Sequence, residues 1–400
     1  MVDAEEARTV GTRLRHVRLA RGKSLRVVAG LAGISKSRLS QIERGERALD
    51  NISELVALAS ALQIAPSELT RLPVPAPANG HTDSTTEAVS LALDAIEIDQ
   101  PGGLVLPVAM LRDRVAQFLQ QKRVCQFTDV GAELPGLIRD LHTTLATGVD
   151  HGKLLELAVF MHVHVTRQWL IHAAASADLL RRVVFLARRL AQERDEITTL
   201  GVAGFAVADT LLASGKFELG QAELDSLTLP PTTASTAGLV GVLTTSHAAA
   251  AALNGRPGAA AAAMDAAADM ADRFGELGKT DPLGFEFGPT NVRFRQVRLA
   301  IEAAEPDRAV HIAEGLHPDQ NPFPCNRVYH YVGYGRALAR LRGRGDDAVR
   351  ALRRAETIYP LRVQRDPFVR EVLAELLARS RRDVVGRELR GMAYRAGLPV

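Results

Sequence analysis

Aromatic residues make up only 4% of this 400-residue chain. With few β-branched or aromatic stretches, the chain is poor in the residues that strands favour, and this argues against a sheet-rich fold. Cysteine is nearly absent. Cys125 and Cys325 stand 200 residues apart, which is no metal-type spacing and reads most simply as a reducing, cytoplasmic setting. No apolar stretch reaches the ~18 uninterrupted residues of a membrane span. The first residues, MVDAEEARTV, lack the basic segment and apolar core of a secretory signal. Lysine is scarce as well, at six of the 49 basic residues.

Arginine, alanine and leucine fill the gap, and all three favour helix. A chain of 400 residues is long enough for two or more cores. The net charge of +3 is unevenly distributed. Residues 1–72 hold twelve Lys/Arg and eight Asp/Glu, whereas the other 328 residues hold 37 and 38. Between Arg13 and Arg47 only Glu43 and Glu46 interrupt ten basic residues. A basic patch in a small unit is an electrostatic footprint for phosphate, although basic faces are as often merely solvated.

The pattern inside the patch is more specific. Val10, Leu14 and Val17 stand at helical spacing, and Arg21-Gly22-Lys23 breaks that helix. Ser24 can cap a second helix that turns Val28, Ala29 and Ala32 inward, and Gly33 supplies the next turn. Ser35 caps a third helix with Leu39 and Ile42 as its buried side, and Gly45 ends it. A fourth helix, ISELVALASALQI, and a short fifth, PSELT, follow.

Helix, tight glycine turn and short polar helix form a helix-turn-helix arrangement. Residues 8–71 resemble the Cro/repressor-like (XRE) family of DNA-binding domains in helix lengths, in the Ala-Gly-Ile-Ser turn and in the Ile-Glu-Arg-Gly ending. The resemblance implies that the third helix enters the major groove of double-stranded DNA. Lys36, Ser37 and Gln41 stand where the family reads bases, and lysine suits guanine as glutamine suits adenine. Arg38 and Ser40 flank them, and Arg44 stands at a backbone contact. Ser24, Arg26 and Ser35 complete the implied DNA-binding set. Many members carry a phosphate-gripping glutamine after the second cap. Leu25 stands there instead, so that contact is either lost or passed to Arg26. Arg18 and Glu43 occupy positions of a partly buried family ion pair, and two exposed charges are the equal alternative.

The expected domains are 1–72, a linker and irregular segment at 73–108, and a helical domain at 109–400. Residues 73–87, PVPAPANGHTDSTTE, read as flexible or semi-extended. Beyond about residue 110, breakers near Ser176, Gly215, Gly255, Glu305, Gly345 and Arg381 recur at intervals of 39, 40, 50, 40 and 36. A helical period near 40 is a solenoid signature, and a non-repetitive helical bundle is the alternative. The pattern resembles degenerate tetratricopeptide repeats. The fold class is therefore all-α: a five-helix Cro/repressor-type domain followed by a tetratricopeptide-like α-solenoid. The longest interval holds an insertion, GELGKTDPLGFEFGPTN. The whole layout resembles actinobacterial XRE regulators with such a C-terminal domain, whose wider relatives include peptide-sensing regulators of Gram-positive bacteria. There the repeat domain binds a small signal and dimerises.

Histidines cluster at His142, His151, His162, His164 and His172. On an α-helix only His164 and His172 share a face, so surface or partly buried histidines are expected, with no metal and no cofactor. No nucleophile elbow, phosphate-binding loop or dinucleotide fingerprint occurs, and nothing argues for an enzyme. The ligand candidates are Asn291 and Arg295, suited to a peptide backbone and a carboxylate, and the cluster Tyr329, His330, Tyr331 and Tyr334. The alternative for Tyr331, Tyr334 and Trp169 is core or inter-helix packing. The expected function is a cytoplasmic, nucleoid-associated transcription regulator. It would bind an operator as a homodimer joined through the repeat domain, under control of a peptide or small molecule, with no membrane partner. The alternative is a DNA-anchored scaffold whose repeat domain binds a partner protein.

Overall fold

The computed structural model describes residues 10–64, 66–70, 80–379, 384–398 and 400. Among these every regular element is helical. The first five helices are α1 (Val10–Ala20), α2 (Leu25–Leu31), α3 (Lys36–Glu43), α4 (Ile52–Leu62) and α5 (Pro66–Thr70). Next come α6 (Gly80–Glu97), α7 (Val108–Arg123), α8 (Phe127–Leu145), α9 (His151–Met161), a π turn (His162–Thr166) and α10 (Arg167–His172). They continue with α11 (Ala177–Arg194), α12 (Ile197–Ala213), α13 (Phe217–Ser226), α14 (Ala237–Leu253), α15 (Pro257–Phe274) and α16 (Pro289–Glu302). The last are α17 (Pro306–Glu314), α18 (Pro324–Ala339), α19 (Gly345–Ile358), α20 (Pro360–Arg365), α21 (Pro367–Ala378) and α22 (Val384–Arg395).

Caps set many of these boundaries. Ser24, Ser35, Asn51 and Ser176 each accept the backbone N–H three residues ahead, which satisfies one of the orphan donors of a first turn. The breakers fall where helices turn: Ser176 caps α11, Gly215 and Gly255 separate α12 from α13 and α14 from α15, and Gly345 opens α19. Arg381 lies outside the described residues.

The chain divides into two compact units. One comprises residues 1–78, 297–321 and 326–400; the other comprises 79–296 and 322–325. This departs from the expected boundaries in two ways. The segment 73–108 is not irregular throughout, because residues 80–97 form α6. Its remainder, 98–107, has no regular structure, yet α8 pins it. Gly103, Leu104 and Leu106 donate their N–H groups to Thr143 Oγ1, Asp140 Oδ1 and Thr144 Oγ1 at 2.9, 2.8 and 3.0 Å. Residues 73–79 lie outside the described residues. The expected 109–400 domain is also divided, and its C-terminal helices belong with the helix-turn-helix.

In the first unit, α1–α5 enclose Leu14, Val28, Leu39, Ile42, Leu58 and Leu62, with Phe368 of α21 packed against that core. Three carboxylates from later helices accept backbone N–H groups of this small domain. Glu371 takes Val10 N at 2.8 Å, Glu375 takes Ala48 N at 2.6 Å, and Glu302 takes Ile52 N at 2.7 Å. Asp50, buried, is paired with Arg336 of α18 and with Arg340 just past the end of that helix. In the second unit, α11 packs on α12, α12 on α13 and α14 on α15, as successive repeat hairpins do. Gly238 and Gly241 of α14 leave room for Asp281 and Phe287 of the insertion, where a Cβ would lie 2.1 and 2.4 Å from their side chains.

His142, His162, His164 and His172 are all buried, contrary to the expected surface or partly buried positions. The π turn at 162–166 also breaks the helical phase from which a shared face was inferred. His142 and His162 meet Nε2 to Nε2 at 2.9 Å. Burial lowers His142 to about 4 and His162 well below its ordinary value, so both rings are neutral and one donates to the other. Among the described residues no group of histidine, cysteine and carboxylate side chains forms a metal-binding cluster.

Gly11 marks the closest approach in the small domain. A Cβ there would lie 1.9 Å from the carbonyl oxygen of Ile42, which is backbone of α3 and cannot swing aside. Gly11→Ala should therefore destabilise the protein by at least about 2 kcal/mol, the scale of overpacking in a tight core. Urea unfolding of the variant reads this directly, and an unchanged midpoint would contradict the contact.

Candidate nucleic-acid interface

Leu39 and Ile42 anchor α3 from beneath, at 0% and 1% exposure. Its other side is left outward: Lys36 and Ser37 are exposed, and Ser40 and Gln41 half-buried. Ser35 caps the helix, accepting Arg38 N at 3.0 Å. Gly33, at φ 69°, makes the tight turn between α2 and α3, in a backbone region that glycine enters without steric cost. Ser24 and Arg26 are exposed at the start of α2. Leu25 is half-buried against the core, so it has no part in phosphate contact.

Arg18 and Glu43 form the buried pair rather than two exposed charges. Arg18 Nε and Nη2 donate to the two carboxylate oxygens at 2.6 and 2.7 Å, and Nη1 donates to Lys23 O at 2.9 Å. One guanidinium therefore ties α1, the α1–α2 turn and α3 together. This fork-to-fork geometry is the strong form of the ion pair.

Two of the candidate DNA contacts have internal partners that spacing did not reveal. Arg38 is half-buried and bidentate to Glu54 of α4, with Nη2 to Oε2 at 2.8 Å. It braces α3 on α4 instead of pointing outward. Arg44 is exposed; it pairs with Glu46 at 2.7 and 2.8 Å and donates to Ser40 Oγ at 2.9 Å. An exposed pair of this kind is worth little, so Arg44 remains able to exchange Glu46 for a phosphate. The outward set is thus Ser24, Arg26, Ser35, Lys36, Ser37, Ser40, Gln41 and Arg44. The seat on α16, α18 and α21 engages α1 and residues 46–52 and leaves Lys36 and Ser37 exposed.

The ligand candidates fall in different units. Asn291 donates through Nδ2 to Glu286 O, so it holds the insertion. Arg295 lies 6.0 Å from the Phe205 ring. The insertion fills the surface these residues line. Phe285 meets His164 and Phe205 edge-on at 4.8 and 5.1 Å, and Glu286 accepts Arg123 Nε at 2.6 Å. In the other unit the tyrosines serve inter-helix packing. Tyr331 donates to Asp319 at 2.8 Å, Tyr334 donates to Glu314 at 3.2 Å, and His330 stacks on Tyr334 at 5.8 Å. Arg362 lies over Tyr329 at 5.3 Å. Trp169 likewise packs inside, donating Nε1 to Phe127 O at 2.9 Å.

A family profile described as a helix-turn-helix domain matches residues 9–72. No curated protein sequence matches the chain. Among solved structures, the chain is similar to Bacillus thuringiensis PlcR in complex with the peptide PapR7 and DNA. That similarity has 11% identity and a TM-score of 0.30, over 78% of this chain and 95% of that one.

Two outcomes follow from the pairs just described. Glu43→Ala strands the buried Arg18 charge and should cost about 3 kcal/mol, against well under 1 kcal/mol for Glu46→Ala at the exposed Arg44 pair. Equal losses in denaturant unfolding would contradict this ranking. Burial raises the Glu371 carboxyl to about 7, whereas its unfolded value is 4.5. Its contribution to stability is complete below pH 4.5 and is lost as pH rises to about 7, by on the order of 3 kcal/mol. Glu371→Gln keeps an acceptor for Val10 N without ionising. The variant's stability relative to wild type should therefore climb between pH 5 and 8; a flat difference would refute the shift.

Proposed function

We propose that the chain is a sequence-specific DNA-binding transcription regulator. The observation that carries this reading is the outward face of α3: a capped helix start with Lys36 and Ser37 exposed and Gln41 one turn on, held rigidly by the Arg18–Glu43 fork. In this reading α3 lies in the major groove, Lys36 and Gln41 read base edges, and Arg26 and Arg44 neutralise phosphates. The basic excess of residues 1–72 supports the same face as the phosphate-binding one.

The helical repeats serve as the receiving and dimerising part. A peptide or small molecule bound there changes the relative position of two helix-turn-helix domains in a homodimer. Operator half-sites then lie about 34–36 Å apart, one helical turn. The attachment of the small domain to α16, α18 and α21 supports this reading, because movement of those helices reaches the DNA-facing side directly. Among the described residues no helix is long and apolar enough to cross a membrane, and the reading places the protein in the cytoplasm with the chromosome.

Selection of binding sites from random DNA, followed by anisotropy titration, tests the proposal. Lys36→Ala or Gln41→Ala should cost about 1–3 kcal/mol on the selected site and relax selectivity at one position. Arg26→Ala and Arg44→Ala should weaken all sequences alike and each lower the salt slope by about one. If no site emerges from the selection, or if Lys36→Ala leaves discrimination intact, the reading fails.

A further inference from the structure

Cys125 and Cys325 meet in the second unit, Sγ to Sγ at 2.8 Å, as free thiols. They are the only two cysteines in 400 residues. Cys325 is buried, and its thiol donates to Lys122 O at 2.9 Å. Cys125 is half-buried and therefore the accessible partner. It sits just past the C-terminus of α7 at φ 62°, a left-handed position that glycine usually fills.

The pair lies at a junction. Arg123, two residues before Cys125, holds Glu286 of the insertion at 2.6 Å and lies 5.5 Å over the ring of Phe323. Phe323 stands two residues before Cys325. The thiols thus flank, on both strands of the chain, the guanidinium that anchors the insertion.

We propose that Cys125 and Cys325 form a reversible disulfide, driven by a low-molecular-weight disulfide such as glutathione disulfide, and that the bond locks the Arg123 junction and with it the insertion. The Cys125 thiolate attacks the oxidant, forming a mixed disulfide and expelling one thiolate. The Cys325 thiolate then attacks the Cys125 sulfur and expels the second. Two protein thiols are oxidised, one external disulfide is reduced to two thiols, and both protons leave with them. Transient disulfides of this kind are the sort that reducing compartments host.

The test uses the full chain, reduced, then exposed to glutathione disulfide, acid-quenched and alkylated. The expected product is lighter by two hydrogens, takes up no alkyl group, and yields a peptide linking residues 125 and 325. Cys325→Ser should instead retain glutathione on Cys125, for want of a resolving thiol. Two alkyl groups on the treated wild type, or stable glutathione on it, would overturn the pairing. Should Cys325→Ser not fold, the wild-type mass alone decides. Hydrogen exchange reads the second half: amides of residues 283–288 should exchange more slowly after oxidation and recover with dithiothreitol. Unchanged exchange in a fully cross-linked sample would overturn the lock.

Discussion

The fold depends most on carboxylates that reach across the chain to bare backbone N–H groups. Val10, Ala48 and Ile52 each present an N–H that no local helix satisfies, and Glu371, Glu375 and Glu302 accept them. A buried amide without an acceptor costs about as much as a lost hydrogen bond. The small domain therefore cannot leave α16 and α21 for another apolar surface without exposing these groups or finding equivalent partners. Asp50 between Arg336 and Arg340 adds charge to the same seat. The domain that carries α3 is thereby tied to these later helices.

The basic composition has a structural side as well. Arginine forms planar forks that lysine cannot, and the chain uses them as staples: Arg18 to Glu43, Arg38 to Glu54 and Arg395 to Glu356. Arg18 and Arg38, in the basic N-terminal unit, are thus committed to carboxylates of their own domain. The outward positive face is narrower than a count of basic residues implies.

What the sequence made legible follows from local rules. The buried side of α3, the Gly33 turn, the serine caps and the Arg18–Glu43 option all arise from spacing within a few dozen residues, where helical periodicity constrains geometry. What stayed hidden is non-local. Arg38 turns toward Glu54, a pairing that neither helix's own periodicity announces. Val10 meets Glu371 across 361 residues, a relation that no pattern in either segment announces. The histidines stay hidden for a different reason: α-helical phase does not hold across residues 162–166, where the turn is a π turn. Cys125 and Cys325 carried no signal in their spacing either, since only the packing of α7 against residues 322–325 joins them.

The seat of the small domain has a consequence for biosynthesis. Its five helices leave the ribosome before the helices that seat them, and Glu371 is encoded 361 residues after Val10. At roughly 5–20 residues per second, Val10 waits about 20–70 s before its acceptor exists. Until then the N–H of Val10 has no such acceptor, and the site against which Phe368 will pack lies open. A nascent chain therefore displays the outward face of α3 well before that face has acquired its final bearing.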